Sequence, residues 1–575
     1  MNKIHSICPP FSYLTMPPYD IASAKALLEK YGINMTVDLL YFDYAVELGG
    51  SIYNTLHDSL GCDLIFSALL FPENKVRLLD SWMKNTRMSI SEFDSIIDKT
   101  KNFCLDYAEK NRVKLGFSDV IHFHLYTKSM LASIYLAKII SERFDKQIWL
   151  SGYHCQGECG ESLKKIFPFI SKVIEKDMEV CILKDFGAEE ICDTTLDFLP
   201  PPDYSDFIDV YTRLPEDFKR DYLSRYSLQV EFNRGCWWNK CSFCTLNCQY
   251  SSFMEKSIDN IINIYKTLIK NYGTMQIIVY ERNSTSHWKE IVDSLDKEFP
   301  GMQGKYNLSF KVSSLTNPSD IKFLKEHKVN FLVGTECFSS NCLKLVNKGQ
   351  RVIESILMLK YVERYGAKCY HNFMYSLPFE TEDDYIETEK NVDILLHLPP
   401  PFDLEEFRLT YGSDIYRFPE KYCVSEIKIR RDFEYLLIPV EYHDKYVPFF
   451  YDFSSVNGGI EERKKRWISL VEKWRRIYYR DAYNGMPKSF SLLHMHTCEG
   501  LIEIYDSRYD NMSRVYTYTG LAGKIYTYCD SIRTVDEIFS EFGENSEKEI
   551  NKYLDDFIGK KIMFREGASF LSLAV

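Results

Sequence analysis

The sequence predicts an α/β chain in three parts: an N-terminal parallel sheet, a central partial (β/α) barrel, and a small C-terminal module of helices closed by a hairpin. Three observations predict it. Apolar, β-rich runs alternate with helical patterns through residues 1–198 and again from 228 to about 415. The segment Phe198-Leu-Pro-Pro-Pro-Asp203, held extended by its prolines, reads as the linker between those regions. From about Phe490 the order changes to strands followed by helices. With 575 residues the chain has room for three or four domains.

Within residues 1–198, Ala22–Lys30 is a helical pattern stopped by Gly32, and Asn34–Phe42 (NMTVDLLYF) suits a buried parallel strand. Asp119–Leu125 then reads as a strand, Lys128–Phe144 as a helix, and Gln147–Leu150 as a strand running into SGYHCQG. This is the alternation of a Rossmann-like sheet. Ligands of such a sheet lie beyond the carboxyl ends of its strands, which is the place of Ser151, Gly152 and His154. His154, Cys155 and Cys159 invite a metal reading, but packing of a loop histidine beside cysteines is the weightier one.

Composition narrows the class. The chain is 26% charged and 45% hydrophobic, with 38 Phe and 41 Tyr, which rules out disordered and collagen-like chains. Acidic residues outnumber basic ones 82 to 70, and the net charge of −12 argues against broad binding of nucleic acid or anionic membrane. The start MNKIHSICPPFSYL has no secretory apolar core, and no run of 18 apolar residues occurs, so a reducing, cytoplasmic setting without membrane contact is expected. In that setting the 17 Cys are thiols, and closely spaced ones are candidate ligands.

The stretch 228–247, LQVEFNRGCWWNKCSFCTLN, carries Cys236, Cys241 and Cys244 in the spacing C-x4-C-x2-C directly after a β-rich run. Three thiolates on one short loop can hold three irons of a [4Fe–4S] cube and leave the fourth open for chemistry. The competing reading is a closed tetrahedral zinc with Cys248 as fourth ligand.

This stretch resembles the cluster loop of radical S-adenosylmethionine (SAM) enzymes, whose usual spacing is C-x3-C-x2-C. RGCWW…CSFCTLN is more similar still to the radical SAM family that matures ribosomally made peptides (RiPPs), where the first gap usually holds seven residues; here it holds four. By that resemblance Phe243 lies near the adenine. GTECFSSNCLKLVNKGQ (334–350) resembles the family's Gly-Ile-Glu-Ser strand and following helix, implying Glu336 and Lys348 as SAM contacts. YHNFMYSLPFETEDDY (370–385) resembles a loop that usually reads Gly-Leu-Pro-Gly-Glu-Thr, with Ser376 and Phe379 replacing both glycines. MQIIVYERNS (275–284) stands where the superfamily's Gly-Gly-Glu binds the methionine amine, with Glu281 the matching acid. KVSSLTNPSD (311–320) matches the next strand and helix start and offers Ser313, while Arg408 in EEFRLT resembles a substrate-facing arginine. All of these fall on the carboxyl-end face of a barrel, where such folds keep their active sites.

The resemblance implies a [4Fe–4S] cluster and SAM, cleaved reductively to methionine and a 5′-deoxyadenosyl radical that abstracts hydrogen, with a flavodoxin- or ferredoxin-type electron donor. It also implies a precursor peptide as substrate, leaving methylation, epimerisation and crosslinking open, and it names no catalytic residue beyond the cluster ligands. The N-terminal domain is similar to cobalamin-binding domains. No Asp-x-His-x-x-Gly occurs, which weakens cobalamin without removing it, because a corrinoid can bind without a protein histidine. Rival readings are a radical SAM enzyme acting on tRNA or a small metabolite, and a non-catalytic zinc or iron–sulfur winged-helix regulator.

The expected divisions are 1–198 for the Rossmann-like, cobalamin-binding-like domain, 215–425 for the radical SAM barrel, 426–487 for a helical connector and 488–575 for a winged-helix-like peptide-recognition module. In the connector, EERKKRWISLVEKWRRIYYR places Trp467 and Trp474 seven apart on one helical face, a clamp onto a core. In the module, LIEIYDSR and VYTYTGLAGKIYTYCDS read as strands. A helix follows with Thr534 and Glu537 in capping-box spacing, and the end KKIMFREGASFLSLAV reads as a hairpin turning at Glu566-Gly567. The module resembles those attached to peptide-maturation enzymes. Asp555, Asp556 and Glu566 do not suit a phosphate-facing surface, so docking of protein is favoured, with a leader peptide adding as a strand to a sheet edge.

Overall fold

The computed structural model describes residues 3–126, 128–188, 195–224, 226–250, 252–280, 283–302, 306–431, 434–483, 490–509, 513–543 and 547–575. In the N-terminal part, strands β1 (Lys3–Cys8), β2 (Asn34–Leu39), β3 (Val120–Leu125), β4 (Gln147–Gly152) and β5 (Ile170–Ile174) form a parallel sheet in the order β2-β1-β3-β4-β5. β3 reads VIHFHL with almost every side chain buried, because helices such as Tyr19–Lys30 and Met130–Ser141 supply core against the sheet. The strand expected over Asn34–Phe42 ends at Leu39, and Leu40–Leu48 is a buried helix; a continuous apolar run does not by itself separate the two. The proline linker is strapped to the first helix, with Lys25 Nζ 3.0 Å from Asp203 and 2.6 Å from Asp206.

The barrel begins at β6 (Leu228–Val230). A short antiparallel pair, β7 (Asn233–Arg234) and β8 (Met254–Glu255), brackets the cysteine loop, and β9 (Ile277–Val279) returns parallel to β6. β10 (Asn307–Phe310), β11 (Asn330–Glu336), β12 (Cys369–Tyr375) and β13 (Asp403–Glu406) form a parallel sheet in sequence order. A backbone hydrogen bond from Ser284 N–H to the Ser309 carbonyl (2.6 Å) joins the loop after β9 to β10, so the parallel β6-β9 pair and the four-stranded parallel sheet adjoin as an open, partial barrel.

The segment 426–487 departs from the helical connector expected there. β14 (Leu409–Thr410), β15 (Val424–Ile429) and β16 (Phe450–Ser455) form an antiparallel sheet in the order β14-β16-β15, and only Ile460–Tyr478 is a long helix. β15 is half solvated and rich in charge, so no apolar run announces it. The expected tryptophan clamp is present. Trp467 and Trp474 are fully buried, and their indoles donate to Glu380 Oε1 and to the Leu398 carbonyl, both at 2.9 Å.

The C-terminal part opens with an antiparallel meander, β17 (Leu493–Cys498), β18 (Leu501–Asp506) and β19 (Arg514–Thr519). The run expected to continue as strand through VYTYTGLAGKIYTYCDS becomes helix at Gly520–Tyr528. There follow β20 (Arg533–Thr534), the Val535–Glu541 helix with its Thr534/Glu537 capping box, the Glu547–Gly559 helix, and a hairpin of β21 (Met563–Glu566) and β22 (Ser569–Ser572). This part is fastened to the back of the barrel. Lys360 Nζ, fully buried on the Val352–Tyr365 helix, donates to Asp530 Oδ1 (2.8 Å) and to the Ser572 carbonyl (2.6 Å), and Arg364 forks onto the same Asp530.

Candidate functional site

The cysteine loop leaves β7 through Gly235, whose φ of 81° a side chain would resist. Asn239 takes φ 46°, a conformation Asn adopts more readily than most residues, and this absorbs part of the unusual four-residue gap. Ser242 anchors the loop to the chain after β11: its N–H reaches the Val346 carbonyl at 2.9 Å and its hydroxyl the Leu345 carbonyl at 3.0 Å. The Trp238 indole adds a bond to the Asn347 carbonyl (2.8 Å).

Cys236, Cys241 and Cys244 line one cavity of about 460 Å³. Its other walls come from both neighbours: Gln156, Glu175 and Lys176 from the N-terminal sheet, and Tyr411 and Arg417 from beyond the barrel. Burial pushes the Cys241 thiol up to about 12, partly offset by the Lys348 charge, and burial raises Cys244 as well. Cys248 lines the same cavity, but its sulfur faces the Gly412 carbonyl (3.6 Å) and Arg417 (3.8 Å). Among the described residues no three His, Cys, Asp or Glu side chains already converge as a metal-binding group.

Consecutive barrel strands end in buried polar side chains. Glu336 closes β11 with φ 63° and pairs through Oε1 with Lys348; burial opposes the lysine charge, and the carboxylate outweighs it, leaving the Lys348 pKa raised. Ser376 follows β12 with φ 64°, so the backbone keeps the left-handed form that the glycine of the resembling motif would take. Lys311 follows β10. Lys311 Nζ, Glu336 Oε2 and Ser376 Oγ are all buried without a hydrogen-bond partner. Such atoms in a folded chain point to a polar ligand that completes them.

Of the other nominated residues, Phe243 is half-buried with Lys348 Nζ 5.8 Å from its ring centroid. Ser313 does not join the buried set: it is exposed on the turn Val312–Ser314, and Lys311, two residues earlier, is the inward side chain. A lysine ending the apolar run NLSF was the available signal. Arg408 is exposed beyond β13, 6.0 Å from the Phe450 ring. Glu281 lies outside the described residues.

A second cavity lies beyond the carboxyl ends of the N-terminal strands and shares Gln156, Glu175 and Lys176 with the first. Ser151 and Gly152 line it as expected, with Asp20, His124 and Arg234. Behind it Ser6, His122, Ser151 and His124 form a hydrogen-bonded row with separations of 3.0, 2.9 and 2.8 Å, and burial draws His122 down to about 3. His154 is buried beside the Phe449 ring. Arg234 ties this cavity to the cysteine loop. Arg234, two residues before Cys236, donates from its guanidinium to both oxygens of Glu231 (3.1 and 3.0 Å) and to Oε1 of Glu179.

Comparison with known proteins defines the class. Residues 230–392 match the model of the Radical SAM superfamily, and the chain carries a radical SAM domain, which implies a [4Fe–4S] cluster and SAM. The thiol loop, its cationic wall and the unpartnered polar atoms fit those groups. Among curated proteins, the chain is 25% identical over 254 residues to the ribosomal protein uS12 methylthiotransferase RimO of Thermosipho africanus, covering 40% of this chain and 59% of the relative. A Methanocaldococcus jannaschii protein described as a "putative methylthiotransferase" is 22% identical over 228 residues, with 38% and 49% covered. The chain thus spans about half of these relatives' lengths. The fold is similar to that of the cobalamin-dependent SAM radical enzyme OxsB with aqua-cobalamin bound (TM-score 0.54, 11% identity, 85% of this chain and 69% of that one). It is equally similar to the radical SAM methyltransferase TsrM of Kitasatospora setae (TM-score 0.54, 11% identity, 83% and 92%). No helix among the described residues is long and apolar enough to cross a membrane.

Proposed function

We propose that this protein is a radical SAM enzyme that uses Cys236, Cys241 and Cys244 to hold a [4Fe–4S] cluster and the adjoining strand ends to hold SAM. The observations that carry this reading are three thiols lining one cavity and, at neighbouring strand ends of the same barrel, Glu336 Oε2 and Ser376 Oγ buried and unpartnered. The cofactors supply one-electron cleavage of SAM. The chain's part is positional. The Glu336–Lys348 pair keeps one carboxylate oxygen turned to the ligand, Ser376 offers a hydroxyl, and Phe243 gives an aromatic edge for the adenine. Cys248, turned to Gly412 and Arg417, stays outside the ligand set.

We further propose a corrinoid beyond the N-terminal sheet; the enclosed space there is about 60 Å³, which takes only an edge of such a ring, so the ring would extend into the adjoining thiol cavity. Support comes from the opening of that space onto the thiol cavity, and from the fold likeness to two proteins described as carrying cobalamin. Methyl transfer then becomes the favoured outcome, since the similar proteins are described as methyl- or methylthio-transferases. A ribosomal precursor peptide as substrate rests on the sequence resemblance of the cysteine loop and the C-terminal module, with β19, an exposed edge strand, as the place for a leader strand. Asp20, Gln156 and Arg408 would face such a substrate or its cofactor.

The test is anaerobic reconstitution with iron and sulfide, then reduction in the presence of SAM. A brown protein that releases 5′-deoxyadenosine, and a Cys236→Ala variant that does neither, is the expected result. A colourless zinc protein, or turnover that survives Cys236→Ala, overturns it. Added cobalamin that fails to co-purify with the chain overturns the corrinoid assignment alone.

A further inference from the structure

Lys311 is the one member of the polar set at the barrel mouth that the sequence motifs did not single out. It is 5% exposed, and among the described residues its ammonium has no hydrogen-bond partner and no pairing carboxylate. A buried charge in that condition is costly unless something on the spot compensates it. The compensation in the chain itself is aromatic. Nζ lies 3.1 Å from the ring centroid of Trp238 and 4.9 Å from that of Trp237, the two residues that follow Cys236.

Trp238 is in turn immobilised. Its indole N–H is bonded to the Asn347 carbonyl, and its far edge fills the space over Gly349, where a Cβ would meet the ring at 2.2 Å. The ammonium is therefore fixed to the cysteine loop by the residues of the loop's own long first gap. Trp237 and Trp238 directly follow Cys236, so the ammonium lies against the thiol loop itself. The neighbouring acid, Glu336, is already engaged by Lys348.

We propose that Lys311, held against the cysteine loop by the Trp238 face, is a fixed counter-charge for the cluster that loop would hold, and that it would make the cluster easier to reduce. This rests on the reading of the cysteine loop as a [4Fe–4S] site. The step concerned is a single electron passing from a low-potential donor to the cluster, with no bond made or broken. A positive charge held near in a dry setting favours the form that carries the extra electron, and water cannot screen it. A carboxylate of SAM is the rival partner for the same ammonium, and the two are separable because they act on different quantities.

The experiment compares the reconstituted wild type with Lys311→Met, Lys311→Arg and Trp238→Phe, all brought to equal iron and sulfide content. Two readouts are taken: the midpoint potential of the cluster by dye-mediated titration with dithionite, and SAM affinity by equilibrium binding to the oxidised protein. Lys311→Met should need a potential lower by ~59 mV, equivalent to a tenfold loss of the reduced form at fixed potential for a one-electron couple. Its SAM affinity should stay within about twofold, and Lys311→Arg should restore the potential. Trp238→Phe, which keeps a ring but loses the anchoring N–H, should fall between. An unchanged potential in Lys311→Met overturns the proposal, and so does an unchanged potential joined to a tenfold loss of SAM affinity, which transfers the ammonium to SAM. If Lys311→Met assembles no cluster, Trp238→Phe decides, and a wild-type potential there overturns the proposal. A wild type that takes up no cluster refutes the functional reading itself; an unshifted variant beside a cluster-bearing wild type refutes only this inference.

Discussion

Two buried lysines, one at the mouth of the barrel and one on its back, show how differently the same side chain is used. Lys360 is fully buried and Lys311 is 5% exposed, and burial draws both pKa values down to about 8. Lys360 has its donors filled by Asp530 and Ser572, which belong to the C-terminal part it fastens. Lys311 has, among the described residues, the Trp237 and Trp238 rings beneath it. A satisfied buried charge is structural glue, whereas an unsatisfied one marks a place built for something else. The contrast extends to the neighbours: Arg364 and Glu566 on the back are bonded, while Ser376 Oγ and Glu336 Oε2 at the mouth are not.

The contrast can be broken by substitution, since changes at the mouth should alter binding and changes at the back should alter stability. The largest effect is expected from Cys236→Ala, with iron content and SAM cleavage falling to background while the thermal midpoint of the apoprotein stays near the wild type. Cys248→Ala measured alongside should keep its iron. Next comes Lys360→Met, which strands the Ser572 and Asp530 acceptors and should cost about 2–4 kcal/mol in urea unfolding. The same residue predicts a pH signature. Its folded pKa lies near 8 and the unfolded value near ~10.4, so between them the unfolded chain holds more protons and stability climbs as pH rises. Lys360→Met should lack that climb.

Ser376→Gly should relieve the left-handed backbone and stabilise by about 1 kcal/mol, while the lost hydroxyl weakens SAM binding by roughly three- to tenfold. A variant that loses stability and keeps its affinity would place Ser376 with the back of the barrel. The smallest change concerns Glu566, whose carboxylate accepts the Val352 and Ile353 N–H groups (3.3 and 2.9 Å) and so caps a barrel helix from the C-terminal hairpin. Glu566→Ala should cost about 0.5–1 kcal/mol with SAM affinity unchanged.

The three cysteines could be nominated because ligand spacing is local: the loop proposed to hold three irons carries all three thiols within nine residues. Glu336 and Lys348 could be nominated for a similar reason, as parts of one strand and the helix after it. Lys311 was passed over in favour of Ser313, since which of two neighbouring polar residues turns inward depends on where β10 stops and the turn Val312–Ser314 begins. The strands β15 and β17 were missed because half-solvated strands rich in charge or histidine carry no apolar run.

The sequence by itself determined the class of fold and the tryptophan clamp and nominated the thiol set that lines one cavity, because alternation, helical periodicity and cysteine spacing are properties of a few adjacent residues. Only the tertiary structure decided which buried polar groups are satisfied. Partners of Lys360 lie 170 and 212 residues away, and the rings beneath Lys311 belong to a loop more than seventy residues earlier in the chain. Hydrogen bonds over such separations exist only after the chain has closed on itself, and it is their presence or absence that separates glue from site.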